Sequence, residues 1–132
     1  MADGMTLVPQ STFGECGAAC LAMVTGQKLL EVVEELEEGG CRARIDGITP
    51  DQLLVYLHRH GFPLAREVMA WDSSQPAILT VPSLNHLGFL HFLVWDGENY
   101  LDPSNGALRY PDDGPVLHGK LRVFWATAIV WD

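Results

Sequence analysis

The pattern of this chain changes at Gly61, and that change limits the fold more than any single residue does. Before it, apolar residues recur at helical spacing; after it, they come in short runs broken by Pro, Gly, Asn and Asp. Cys16 to Val24 is an apolar stretch closed by Thr25 and Gly26, which reads as a buried helix with glycine near its C-terminal end. Leu29 to Glu38 carries Leu29, Val32, Val33 and Leu36 at helical spacing among five glutamates and ends at Gly39 and Gly40, the mark of an amphipathic surface helix. In ITPDQLLVYLHRHG, Thr49 is placed to cap a helix, Pro50 suits its first position, Leu53, Leu54 and Leu57 form the apolar side, and Gly61 is the stop. Beyond Gly61, strands are expected at Leu64 to Met69, Ala77 to Val81, Gly88 to Trp95, Tyr100 to Leu101 and Thr127 to Trp131. Asp96 to Asn99 is turn chemistry, so Gly88 to Leu101 should form a hairpin. Helices first and antiparallel sheet second is an α+β layout, expected as a single domain over residues 1–132.

With 132 residues, 48% of them hydrophobic, the chain can bury a core and is not disordered in composition. Its net charge is -9 and no cluster of Lys and Arg is present to neutralise a phosphate backbone, so no nucleic acid partner is expected. No run approaches the roughly 18 apolar residues of a membrane span. The start, MADGMTLVPQ, lacks the regions of a signal peptide. A soluble, cytoplasmic protein is expected. Three cysteines give no disulfide framework, and the CxxxC spacing of Cys16 and Cys20 matches no common zinc or redox motif. Free thiols, with no metal and no cofactor, are the simplest account.

A thiol attacks a carbonyl as its thiolate, which a helix N-terminus and a neighbouring imidazolium favour. Cys16 stands where a helix begins and is followed by Gly17, which leaves the adjacent backbone unencumbered. Cys20 lies one turn further in among Ala19, Leu21 and Met23 and reads as packing; Cys41 follows two glycines in a polar loop and reads as incidental. Of the five histidines, His58 and His60 close the Thr49 helix, where the dipole suits an imidazole at the surface. His118 carries no such signal. His91 lies inside an apolar strand, where an unpaired imidazole is costly and a bonded or functional one is expected. Alternation places His91, Leu93 and Trp95 on one face and Phe92 and Val94 on the other. Asp102 begins the return after the turn, so the hairpin can bring its carboxylate beside His91. His86, in a loop before Gly88, is the other candidate base.

Gln10, ECGAACLAMV, HFLVW and LDPSNG, in that order, resemble the motifs of peptidase family C39, the papain-like cysteine peptidases known as leader-processing domains of bacteriocin transporters. The resemblance runs from about Val8 to Trp131 and is specific at Val8 to Met23 and Leu90 to Pro103. It implies a papain-like fold in which N-terminal helices carrying the nucleophile pack on a C-terminal antiparallel sheet. It also implies that Cys16 is the nucleophile, His91 the general base and acid, and Asp102 the residue orienting His91. Gln10, six residues ahead of Cys16, would donate to the oxyanion together with the Cys16 backbone N–H. Glu15 stands where many relatives have aspartate. Transporters of that kind continue into membrane and ATPase domains, so this chain is expected to be a freestanding or excised domain.

The family's preference implies a peptide or protein substrate cleaved after Gly-Gly, in leader processing or in a bacterial toxin or effector delivered to a target cell. In the latter case a cognate immunity or inhibitor protein would be a partner. Two other functions use the same frame. One is acyl transfer or glutamine deamidation through the same thioester; the other is a non-catalytic C39-like domain that binds transport substrates. LLEVVEELEEGGC superficially resembles a leader with its own double glycine, although glycines ending a helix explain it more simply.

Overall fold

The computed structural model describes residues 5–10, 12–44, 47–68, 71, 74–82, 90–104, 109–111, 123 and 125–129. The fold is α+β. A 3₁₀ turn, Phe13–Glu15, runs into α1 (Cys16–Thr25), followed by α2 (Leu29–Glu38) and α3 (Pro50–Arg59). Local chemistry sets each boundary. Gly26 ends α1 at φ 78, a left-handed conformation that costs glycine nothing, and its N–H returns to the Ala22 carbonyl. Thr49 caps α3 by accepting the Gln52 N–H at 3.2 Å, and Gln52 returns the bond to the Thr49 N–H at 2.8 Å.

Among the described residues six strands follow: β1 (Arg66–Val68), β2 (Ala77–Pro82), β3 (Leu90–Trp95), β4 (Asn99–Leu101), β5 (Arg109–Pro111) and β6 (Trp125–Ala128). They form one sheet in the order β1-β6-β2-β3-β4-β5, every neighbouring pair antiparallel. The expected strands are all present with shifted ends. β6 begins two residues before Thr127, because Trp125 pairs with Thr80. The final residues of that expected strand, the start of the Gly88 strand and Met69 lie outside the described residues. β5 has no counterpart in the sequence reading: it is three residues long, and nothing in RYP alternates.

The central strands of the sheet are buried on both faces. Ile78, Phe92, Val94 and Leu101 share a core with Cys20, Leu21, Val32, Leu53 and Leu57 of the three helices, which therefore cover one face. Leu79, Val81, Leu93, Trp95 and Tyr100 pack together on the other, with Trp95 and Tyr100 rings 4.6 Å apart. Alternation holds from Phe92 to Trp95, with Phe92 and Val94 facing the helices and Leu93 and Trp95 facing away; His91, expected with Leu93 and Trp95, instead interacts with Cys16 of the helix side. α1, buried along nine of its ten residues, lies against β3. Gly17 permits that approach. A Cβ there would lie 2.5 Å from Ile48 Cγ1 and 3.3 Å from Phe92 Cδ2, so the glycine serves close packing next to Cys16 rather than open backbone.

Candidate active site

Cys16 is the first residue of α1, and its side chain is at the positive end of the helix dipole. The residue is 7% exposed. A Cβ on Gly17 would lie 3.3 Å from Phe92 Cδ2, so α1 and β3 approach closely beside the chain neighbours of these residues, Cys16 and His91. His91 is the second residue of β3, paired with Val81 of β2. Its hairpin closes on Asp96, whose carboxylate accepts the Glu98 and Asn99 N–H groups at 2.8 and 2.7 Å. The hairpin register pairs Val94 with Leu101 and Trp95 with Tyr100. One step further along, that register brings Asp102, just past β4, to the His91 end of β3. His91 Nε2 and Asp102 Oδ1 are 2.7 Å apart. The same oxygen accepts the Ser104 N–H at 2.9 Å, fixing the carboxylate from its far side.

The electrostatics follow from this geometry. Burial of His91 opposes its charged form, but its hydrogen bond to Asp102, its interaction with Cys16 and the charge of Asp102 outweigh it, and the imidazole is raised from 6.5 to about 9. Burial would raise Asp102, but the bond and charge of His91, helped by Ser104, hold it below the usual carboxylate range. Cys16, His91 and Asp102 thus come together from a helix start, a strand start and the residue just past a strand end, with the His91–Asp102 hydrogen bond joining the last two.

Gln10 joins them through the backbone. Its N–H donates to the carbonyl of Pro103, the residue after Asp102, at 2.8 Å. Its side-chain Nε2 donates to the Thr12 carbonyl at 2.9 Å. The remaining candidates are placed elsewhere. Cys20 is fully buried in the helix-side core, where desolvation pushes its thiol well up. Cys41 is half-buried, with Sγ 3.8 Å from the Gly47 carbonyl. His60 binds Glu35 at 2.6 Å and stacks on Tyr56, joining α3 to α2, and His58 binds the Ala65 carbonyl at 2.8 Å. Both are structural at the end of α3, although His60 is more engaged than a surface reading implies. His86, the alternative base, and His118 lie outside the described residues. Gly39 and Gly40 close α2: Gly39 and Cys41 N–H groups return to the Glu35 and Leu36 carbonyls, and Gly40 adopts φ 90. Helix capping accounts for this double glycine.

The turn before Cys16 is held by residues outside the expected triad and oxyanion site. Glu15 is 3% exposed and takes the Thr12 N–H at 3.0 Å, with Arg44 Nε 3.7 Å from its other oxygen. The signal was present: Thr12-x-x-Glu15 ahead of an apolar run is a capping-box pattern. Among the described residues no group of three His, Cys, Asp or Glu side chains is arranged to hold a metal ion, and no single helix is long and apolar enough to cross a membrane. No protein-family model matches the chain, and no curated protein matches its sequence.

Proposed function

We propose that this chain is a papain-like cysteine peptidase with a Cys16–His91–Asp102 triad and an oxyanion site that uses Gln10. One observation carries the reading: His91 Nε2 bonds Asp102 Oδ1 at 2.7 Å, and the same imidazole interacts with Cys16 at the start of a helix. Structural histidines do not need a carboxylate behind and a thiol in front; a nucleophile, its base and an orienting acid do.

The chemistry follows from the residues. The Cys16 sulfur attacks the scissile carbonyl as its thiolate, and the carbonyl oxygen becomes an oxyanion that accepts from the Gln10 amide and the Cys16 backbone N–H. His91, kept protonated by Asp102 behind it, gives its proton to the departing amine, leaving a thioester on Cys16. Water then attacks the thioester and passes a proton to His91, and the sulfur leaves as thiolate. Cleavage after Gly-Gly in a peptide or protein is the specificity implied by the C39 resemblance.

Incubation with peptides containing Gly-Gly, and with a whole proteome, followed by identification of new N-termini by mass spectrometry, tests this. Fragments ending in Gly-Gly, absent with Cys16→Ala, are expected. Products gaining the mass of an added amine, or glutamine converted to glutamate with no chain cut, would replace hydrolysis of the peptide bond by acyl transfer or deamidation. No change of any kind, with the fold intact, would remove the enzyme reading.

A further inference from the structure

Glu15 has no part in the chemistry above, yet it is the most deeply buried charged side chain among the described residues. A carboxylate so far from water is costly unless its oxygens are bonded. Glu15 Oε1 accepts the Thr12 N–H at 3.0 Å, and Oε2 lies 3.7 Å from Arg44 Nε. The Thr12 carbonyl receives the Glu15 N–H at 3.2 Å and the Gln10 Nε2 amide at 2.9 Å. Both polar groups of the Thr12 main chain are therefore held by Glu15: the N–H by its carboxylate, and the carbonyl that grips Gln10 by its main-chain N–H. The Thr12 hydroxyl adds a bond to the Arg44 carbonyl at 3.1 Å. There is no slack nearby, since a Cβ on Gly14 would lie 2.5 Å from the Arg44 carbonyl oxygen.

We infer that Glu15 is a positioning residue for the oxyanion-binding amide: it clamps the Thr12 peptide, and Thr12 sets the plane of the Gln10 carboxamide. What Gln10 does rests on the peptidase reading; what Glu15 holds rests on geometry alone. A carboxamide nitrogen carries two hydrogens. Thr12 takes one, and that bond fixes the direction of the other, which is the donor the tetrahedral oxyanion takes during the reaction. An amide released from Thr12 would swing through several orientations, and misplacement by about 1 Å costs up to ~100-fold in rate.

Glu15→Ala should lower kcat for a Gly-Gly peptide by about 10- to 100-fold with KM nearly unchanged. Glu15→Gln keeps an oxygen for the Thr12 N–H and should stay within about fivefold of wild type, the scale of a solvent-screened ion pair. Gln10→Ala with Glu15→Ala should be no slower than Gln10→Ala alone, and iodoacetamide labelling of Cys16 should not slow. Exchange of the Gln10 side-chain amide protons with solvent, followed by NMR, should quicken in Glu15→Ala. Additive losses in the double variant, or Gln10 exchange unchanged, would overturn the inference. If Glu15→Ala does not fold, Glu15→Asp, one methylene too short to reach Thr12, takes its place with the same expectations. A wild type that cleaves nothing overturns the peptidase reading, and amide exchange then decides the clamp by itself.

Discussion

Asp102→Asn removes a charge while keeping the size and hydrogen-bonding shape of the side chain behind His91. In the wild type His91 is raised from 6.5 to about 9, a difference of about 2.5 units, which at ~1.4 kcal/mol per unit is about 3 kcal/mol of folding stability. The two side chains are 15% and 13% exposed, so solvent screening is slight. The lowered Asp102 reports the same contact from its other side and is not added. Between about pH 6.5 and about 9 the folded protein keeps a proton on His91 that the unfolded chain has released. Stability from this group is therefore complete below the lower value and lost as pH rises through the upper one. An opposite charge at this range is worth about 1–3 units. Asp102→Asn should bring His91 down by that much and flatten most of the fall in stability across the window. Urea unfolding at a series of pH values gives the slope, and ¹⁵N-edited titration of the imidazole gives the shift directly. Turnover should fall by less than in His91→Ala, because the asparagine oxygen can still orient the ring. His91 titrating near 9 in Asp102→Asn, or a wild-type stability flat through the window, would refute the reasoning.

Iodoacetamide should label Cys16 before Cys20, which is fully buried with its thiol pushed up by desolvation, and before Cys41; peptide mapping of the native protein checks this, and equal labelling contradicts it. Gln10→Ala should lower kcat by about 100-fold with KM little changed, whereas an unchanged kcat would leave Gln10 only its backbone tie to Pro103. Gly14→Ala should destabilise by about 1–3 kcal/mol, because backbone atoms of Arg44 occupy the space its methyl needs. Gly39→Ala, whose nearest neighbours would be 3.5 Å away, should cost little by comparison in the same thermal melt.

The helices were legible because each carries its own punctuation. Thr49, Pro50 and Gly61 bracket α3, and Gly26 ends α1, through bonds made within a few residues. His91 and Asp102 were legible for a related reason: an Asp96 turn ties their strands together locally, so their meeting depends on one short register. Sheet order was not legible. β6 inserts between β1 and β2, a pairing between segments far apart in sequence that no local pattern encodes. The contact of Cys16 with His91 is equally non-local, and the packing role of its neighbour Gly17 depends on Ile48 and Phe92, far away in sequence. Glu15 was read as a minor departure from aspartate, because a capping box in three residues of 3₁₀ turn lacks the periodic signal of a longer helix.

The central claim is that the Cys16 sulfur forms a covalent acyl intermediate with His91 and Asp102 behind it. An activated ester of a peptide ending in Gly-Gly, mixed with the protein and quenched in acid within its first turnover, tests this by intact mass and peptide mapping. The expected result is one acyl group on Cys16, formed more slowly in Gln10→Ala and absent in Cys16→Ala and His91→Ala. No adduct on Cys16, or an adduct spread equally over Cys16, Cys20 and Cys41, would contradict it.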